Sequence, residues 1–239
     1  MPPFEISVAT GGARVRLTGP DWAIEVDPGL DEATIAHLLA AALAYVASQG
    51  GGRARHWGRA DGSAAVELGF HADRHLHQMR RSLPAGIPFD LVTRPFVVGQ
   101  DESQWLAVNN RAFSWHPDQA GWTLDDLLAR QAEDWYDPAG FLLHENDGAL
   151  DGFCWTKVHR HHEPPLGEIY VIAADPGAQG TGLGRALVLA GLDHLHQAGM
   201  AWGMLHVEDT NTAALNLYRR LGFEIDHTEV NYVIDLPRP

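Results

Sequence analysis

Cysteine is almost missing from this chain: Cys154 is the only one in 239 residues. A lone thiol excludes an intrachain disulfide framework and suits a reducing compartment, so a cytoplasmic protein is expected. No stretch approaches the roughly 18 uninterrupted apolar residues of a membrane span, so no membrane association is expected. The opening MPPFEISVATGGARVRL has no basic segment ahead of an apolar one, so no secretory signal is read there. Basic side chains are also scarce, 17 Lys and Arg against 31 Asp and Glu, for a formal net charge of −14. That deficit argues against nucleic-acid binding, which needs a basic face. It still allows an anionic small molecule, because backbone N–H groups at a helix start hold phosphate without side-chain charge. With 45% hydrophobic and 20% charged residues, the rest is that of a soluble globular chain long enough for a sizeable core.

Pro84, Pro88 and Pro95 punctuate LPAGIPFDLVTRPF (83–96), and the domain boundary is placed there, giving 1–88 and 89–239. Beyond it, 101–113 and 123–134 read as helices, the second with Thr123 as N-cap and Asp126 three residues on. GFLLHEN and LDGFCWTKVH form a hairpin around Asp147-Gly148, a pair favoured in tight turns. GEIYVIAADPG is a third strand, followed by a glycine-rich loop, a helix to about Ala198, a strand at 202–209, a helix ending at Gly222 and a closing strand. The first part is shorter: strands at RVRLTG and WAIEVDPG, a helix over 31–49, a strand near RARHWG and the segment LGFHADRHLHQMRRSLP.

The two parts share a frame. Asp27-Pro28-Gly29 precedes Asp175-Pro176-Gly177 by 148 residues, and Gln49/Gln197 and Gly51/Gly199 keep that offset. Leu68-Gly69-Phe70 precedes Leu221-Gly222-Phe223 by 153, so the first copy is expected to lack five residues in the stretch that holds Tyr218 in the second. An internal duplication follows, with glycines at 180, 182 and 184 but Glu32, Thr34 and Ala36 in the first copy.

Glycines between a strand and a helix let the backbone turn sharply and approach a ligand without a Cβ in the way. Their N–H groups, backed by the helix dipole, make a nest for an anion such as pyrophosphate. The spacing Gly180-x-Gly182-x-Gly184 differs from the dinucleotide fingerprint, and the Lys-Ser/Thr of a nucleotide-triphosphate loop is absent. Gln179-Gly180-Thr181-Gly182-Leu183-Gly184 resembles the Q/R-x-x-G-x-G/A signature of the GCN5-related N-acetyltransferases, and NTAALNLYRRLGF (211–223) resembles their second signature. The strings VNNRAF, HPDQAGW, WYDPAGFLL and WTKVH are similar to a tandem branch of that superfamily, the mycothiol synthases; the likeness is close over 94–235 and loose over 20–84. The resemblance implies a mixed α/β tandem acetyltransferase fold with a truncated first copy and a complete second one.

It also implies roles. Acetyl-CoA, one per chain and with no metal, would be held by Ile172, Ala173, Ala174, Gln179, Gly180, Thr181, Gly182, Leu183, Gly184, Arg185, Asn211 and Ala214. Glu168 would sit at the acceptor amine as general base, directly or through water, and Tyr218 would protonate the departing thiolate. Asp118, Lys157, Glu168 and His206 would contact the acceptor, the family commonly having Tyr where this chain has His206. The implied reaction is direct acetyl transfer to a small-molecule primary amine, the cysteinyl amine of a cysteine–glucosamine–inositol precursor, by a monomer. Another small amine, a peptide N-terminus or a non-catalytic CoA-binding module are the alternatives.

Two further features read as bland. Cys154, between Phe153 and Trp155, could carry an acyl group but reads as strand packing. His159-Arg160-His161-His162-Glu163 lacks the i,i+4 spacing of a helical metal site and reads as a solvated hairpin loop.

Overall fold

A computed structural model describes residues 4–8, 11–116, 119–160 and 162–238. The chain forms two compact units, one of residues 1–78, 207–212 and 225–239, the other of 79–206 and 213–224.

The first unit contains β1 (Phe4–Val8), β2 (Gly11–Thr18), β3 (Asp21–Val26), α1 (Glu32–Ser48), β4 (Gly52–Arg59), α2 (Ala64–Glu67), the start of β5 (His71–Ser82) and nearly all of β11 (Glu224–Leu236). Its sheet runs β1-β2-β3-β4-β11, antiparallel except for the parallel β3–β4 pair. The single parallel step has α1 as its crossover, as the geometry of parallel strands requires. Leu39, Ala42 and Val46 place one stripe of α1 against Val15, Ile24 and Ala54 of the sheet. Each large apolar side chain buried there contributes on the order of 1.5–3 kcal/mol.

The second unit holds β6 (Arg94–Pro95), α3 (Glu102–Ala112), α4 (Leu124–Gln131), β7 (Phe141–Asn146), β8 (Ala149–His159), β9 (Leu166–Ala174), α5 (Leu183–Gln197), β10 (Trp202–Glu208) and α6 (Thr212–Arg220), with β10 and α6 each running partly into the first unit. The strand order is β10-β9-β8-β7-β6, with β9–β10 parallel and the rest antiparallel. Asp147 (φ 50°) and Gly148 (φ 78°) close the β7–β8 hairpin with two left-handed residues, as the Asp-Gly pair predicts. Thr123 and Asp126 form the expected capping box at α4.

The two faces of this sheet are packed differently. On the α3–α4 face, Trp105, Phe141, Phe153 and Trp155 interlock edge-on and stacked around a core that includes Val108, Leu127 and Val171. On the α5 face the helix lies so close that a Cβ at Gly191 would meet Cys154 Sγ at 2.5 Å. Cys154 is fully buried there, and desolvation pushes its thiol up to about 12, so it stays protonated packing.

Candidate active site

The site begins with a register fault. Trp155 pairs with Val171 and Thr156 with Ile169, so Tyr170 is left over as a β-bulge on β9. A bulge bends its strand and sharpens its twist. On the other side, β10 follows β9 only from Trp202↔Leu166 to Leu205↔Ile169, although β9 continues to Ala174. Past Ile169 the two strands part. Ile172, Ala173 and Ala174 lie half-buried on the open stretch, with main-chain groups available to an extended ligand.

At the end of β9, Asp175 Oδ1 accepts from Gly177 N–H at 3.0 Å and Oδ2 accepts from Arg111 Nε at 2.9 Å. α3 thus fixes the turn that starts the loop. Upstream on the same helix, Asn110 exchanges two bonds with the Trp122 main chain, 3.0 and 2.8 Å, which pins the α3–α4 connection. Gly180 (φ +80°) and Gly182 (φ +91°) take left-handed conformations, and Gly182 caps α5. Gly184 has no such φ, and a Cβ there would meet nothing within 4 Å. Among the described residues, nothing near position 184 requires glycine there. The first turn of α5 leaves the N–H groups of Leu183, Gly184 and Arg185 without intrahelical acceptors. Thr181, Gly182, Leu183 and Arg185 also line a cavity of about 940 Å³ with Arg111 and Asp175, on the β8 side of the loop; Ile172–Ala174 do not line it.

Beside the parting, Glu168 is buried in the sheet, 6% exposed, between two imidazoles. His159 Nε2 of β8 lies 2.6 Å from Oε2, and His206 Nδ1 of β10 lies 3.3 Å from Oε1. Burial alone would raise this carboxyl; the two imidazole hydrogen bonds and their charges outweigh it and bring the group down to about 2. Lys157, the only lysine of the chain, is the register partner of Glu168 and lays its Nζ over the rings of Trp135 (4.5 Å) and Tyr170 (5.4 Å). Lys157, His159 and Trp135 line a second cavity of about 440 Å³ with Tyr136 and Arg160.

Of the residues expected from the sequence, Glu168, Lys157 and His206 come together on adjacent strands. Tyr218 lies elsewhere, buried beside Cys154 and edge-on to Phe223 at 5.8 Å, with desolvation raising its phenol far above the ordinary value. Asn211 precedes α6, its N–H donating to Glu208 O at 3.0 Å, and Ala214 is in that helix's first turn. Asp118 lies outside the described residues. His159 was not expected. β8 ends at His159, as the strand reading of LDGFCWTKVH has it, but the solvated-loop reading of the histidine run fails there: His159 pairs with Leu166 and its ring meets Glu168. Among the described residues, no three His, Cys, Asp or Glu are grouped to hold a metal ion, and no helix is long and apolar enough to cross a membrane.

The first copy answers each feature differently. Its β3–β4 pairing persists to Ile24↔His56, at the place of Ile172, and His56 Nδ1–H donates to Ile24 O at 3.2 Å. α1 begins at Glu32, so the counterparts of Gly180–Gly182 are already helical, and the Asp31 carboxylate occupies the helix start, accepting from Thr34 N–H at 2.9 Å. The helix before Leu68-Gly69-Phe70 is shorter, 4 residues against the 9 of α6, as the change of offset predicts, but its last turn is kept: Phe70 N–H bonds to Ala65 O (3.1 Å) as Phe223 N–H bonds to Tyr218 O (3.0 Å), so alanine stands where the second copy has Tyr218.

A model of the acetyltransferase (GNAT) family matches residues 107–223. The chain is 54% identical to a mycothiol acetyltransferase of Acidimicrobium ferrooxidans over 71% of its own length and 57% of that protein's. With a mycothiol acetyltransferase of Thermobispora bispora the identity is 45%, over 89% of this chain and 75% of that one. The chain thus spans between just over half and three quarters of the length of these relatives. In fold it is similar to a GCN5-related N-acetyltransferase of Sphaerobacter thermophilus (TM-score 0.73, 22% identity, 96% of this chain and 77% of that one). It is also similar to a tandem GNAT protein from the clavulanic acid biosynthesis pathway (TM-score 0.68, 18% identity, 94% and 78%).

Proposed function

Because this chain belongs to the mycothiol acetyltransferases of the GNAT family, we propose that it moves the acetyl group of acetyl-CoA directly to the cysteinyl amine of a cysteine–glucosamine–inositol acceptor, completing mycothiol. The observation that carries this reading is the parting of β9 from β10 beside Glu168, with a glycine loop whose backbone is open at 180, 182 and 184 following the far end of the same strand. Acetyl-CoA supplies an activated acyl group with a thiolate leaving group. The amides around Gly182–Arg185 would hold its pyrophosphate, and the open main chain of Ile172–Ala174 its pantetheine arm and the thioester carbonyl.

Glu168 stays ionised, so it favours the acceptor's ammonium group and receives a proton from its nitrogen. An α-amine has a pKa of about 8, leaving roughly a tenth neutral at pH 7. Once that nitrogen attacks, its remaining proton is far more acidic, and even a weakly basic carboxylate can take it. Tyr218 would serve the departing sulfur as the donor of a proton or hydrogen bond. Lys157 and His206 would contact the acceptor.

In this reading 89–239 is the catalytic domain, and 1–88 is a degenerate copy that binds no CoA; one acetyl-CoA binds per chain. His206 stands in place of the family's tyrosine, so an imidazole would make that acceptor contact. The test is turnover of acetyl-CoA with the cysteinyl-glucosaminyl-inositol amine, read by product mass. Turnover only on another amine would move the acceptor assignment, and tight CoA binding without turnover on any amine would refute catalysis. Calorimetry should find a single CoA site; two would overturn the degenerate first copy.

A further inference from the structure

We propose that His159 is the positioning residue of the reacting carboxylate: its Nε2–H anchors Glu168 Oε2 and leaves Oε1, beside His206, to receive the acceptor's proton. The inference rests on the reading above, in which Glu168 faces the amine.

The two contacts are unequal. At 2.6 Å the bond from His159 is at the short end of charge-assisted hydrogen bonds, whereas the 3.3 Å contact from His206 is longer than an ordinary one. An incoming amine therefore gives up least by taking Oε1. The strands agree. β8, which carries His159, pairs with β9 on the side away from β10, while His206 is the first residue of β10 beyond its last pair with β9. His159 stands behind the carboxylate, and His206 stands at the opening.

The anchor is needed because Glu168 is buried. A carboxylate taken out of water protonates unless donors hold its charge. Among the described residues, the charged and titratable groups facing it are Lys157 and His159 from β8, His206 from β10 and Tyr170 of β9, with Arg130 and Glu133 at the end of α4 beyond that ring and His162 edge-on to His159 at 5.6 Å. Removing the His159 donor should therefore let burial raise the carboxyl, so that more alkali is needed to ionise it.

The experiment is the pH titration of the Glu168 carboxyl itself, read from the carboxyl resonance of isotope-labelled glutamate between about pH 3 and 8, for wild type, His159→Leu and His159→Gln, with Glu168→Gln to assign the signal. Wild type should stay ionised across that range, and His159→Leu should titrate about one to two pH units higher than wild type, inside it, with KM for acetyl-CoA unchanged. His159→Gln, whose amide N–H can take the place of Nε2–H, should restore the wild-type behaviour. His159→Asn, too short to reach Oε2, should behave as Leu and serves if the leucine variant does not fold. A Glu168 carboxyl that stays ionised across the range in both the Leu and Asn variants overturns the proposal. Wild-type turnover of the amine by Glu168→Gln would instead overturn the underlying reading of Glu168.

Discussion

Replacing Gly184 by glutamate separates what the fold needs at that position from what a ligand needs. The residue has an ordinary φ, sits in the first turn of α5, and a Cβ there meets nothing within 4 Å. For the protein alone the change should be favourable. Glycine costs a helix about 0.5 kcal/mol more than glutamate, and a carboxylate in the first turn gains about 0.3–1 kcal/mol from the helix dipole. Together that is about 1 kcal/mol of added stability, or about 2–4 °C in Tm for a chain of this size. For acetyl-CoA the same carboxylate would stand against the pyrophosphate and should weaken binding at least about tenfold, equivalent to about 1.4 kcal/mol. Thermal unfolding and calorimetric titration with CoA, on the same two proteins, read the two effects independently. Unchanged CoA affinity would refute the placement of the pyrophosphate. A lower Tm would refute the claim that the backbone does not need glycine there.

Three other outcomes are expected. The Glu168 carboxyl, ordinarily 4.5, stands at about 2 in the folded protein. Because the folded value is the lower one, it stabilises the fold by about 3 kcal/mol above pH 4.5, and this is lost as the pH falls from there toward 2. Urea midpoints of wild type and Glu168→Gln should converge through that window; a constant gap would refute the ion-pair account. Gly191→Ala, with its Cβ placed 2.5 Å from Cys154 Sγ, should lose about 1–3 kcal/mol in spite of better helix propensity. In a Cys154→Ala background the same change should be neutral or stabilising, and an equal loss in both backgrounds would show that the contact is not the cause. Gly182→Ala should weaken CoA binding and also destabilise the start of α5, because φ +91° strains any side chain.

Much of the fold was legible where the determinants are local. Asp147-Gly148 names its own turn, and Thr123 and Asp126 cap α4 within four residues. Both Leu-Gly-Phe strings end a helix by the same main-chain bonds, with φ +89° at Gly69 and +82° at Gly222, because only glycine takes that conformation cheaply. The sharp turn of the glycine loop was legible for a similar reason: Gly180 (φ +80°) and Gly182 (φ +91°) take left-handed conformations that glycine adopts cheaply.

The site itself was half legible. Glu168, Lys157 and His206 were expected from resemblance, but their meeting depends on the pairing of β8, β9 and β10, which no local pattern encodes. His159 was hidden by its company, because histidines next to arginine and glutamate look solvated until a strand partner turns one of them inward. The closing of the first copy was equally hidden. Its β3–β4 pairing runs on past the point where β9 and β10 part, and His56 bonds across it.

By itself, then, the sequence determined the duplicated frame, the turns and caps, and which copy could leave its amides bare. The tertiary structure alone decided where the strands separate and which imidazoles face the carboxylate. The physical reason is range: turn and cap preferences act over a few residues, whereas a β-bulge at Tyr170 and a buried charge at Glu168 exist only once distant strands have paired around them.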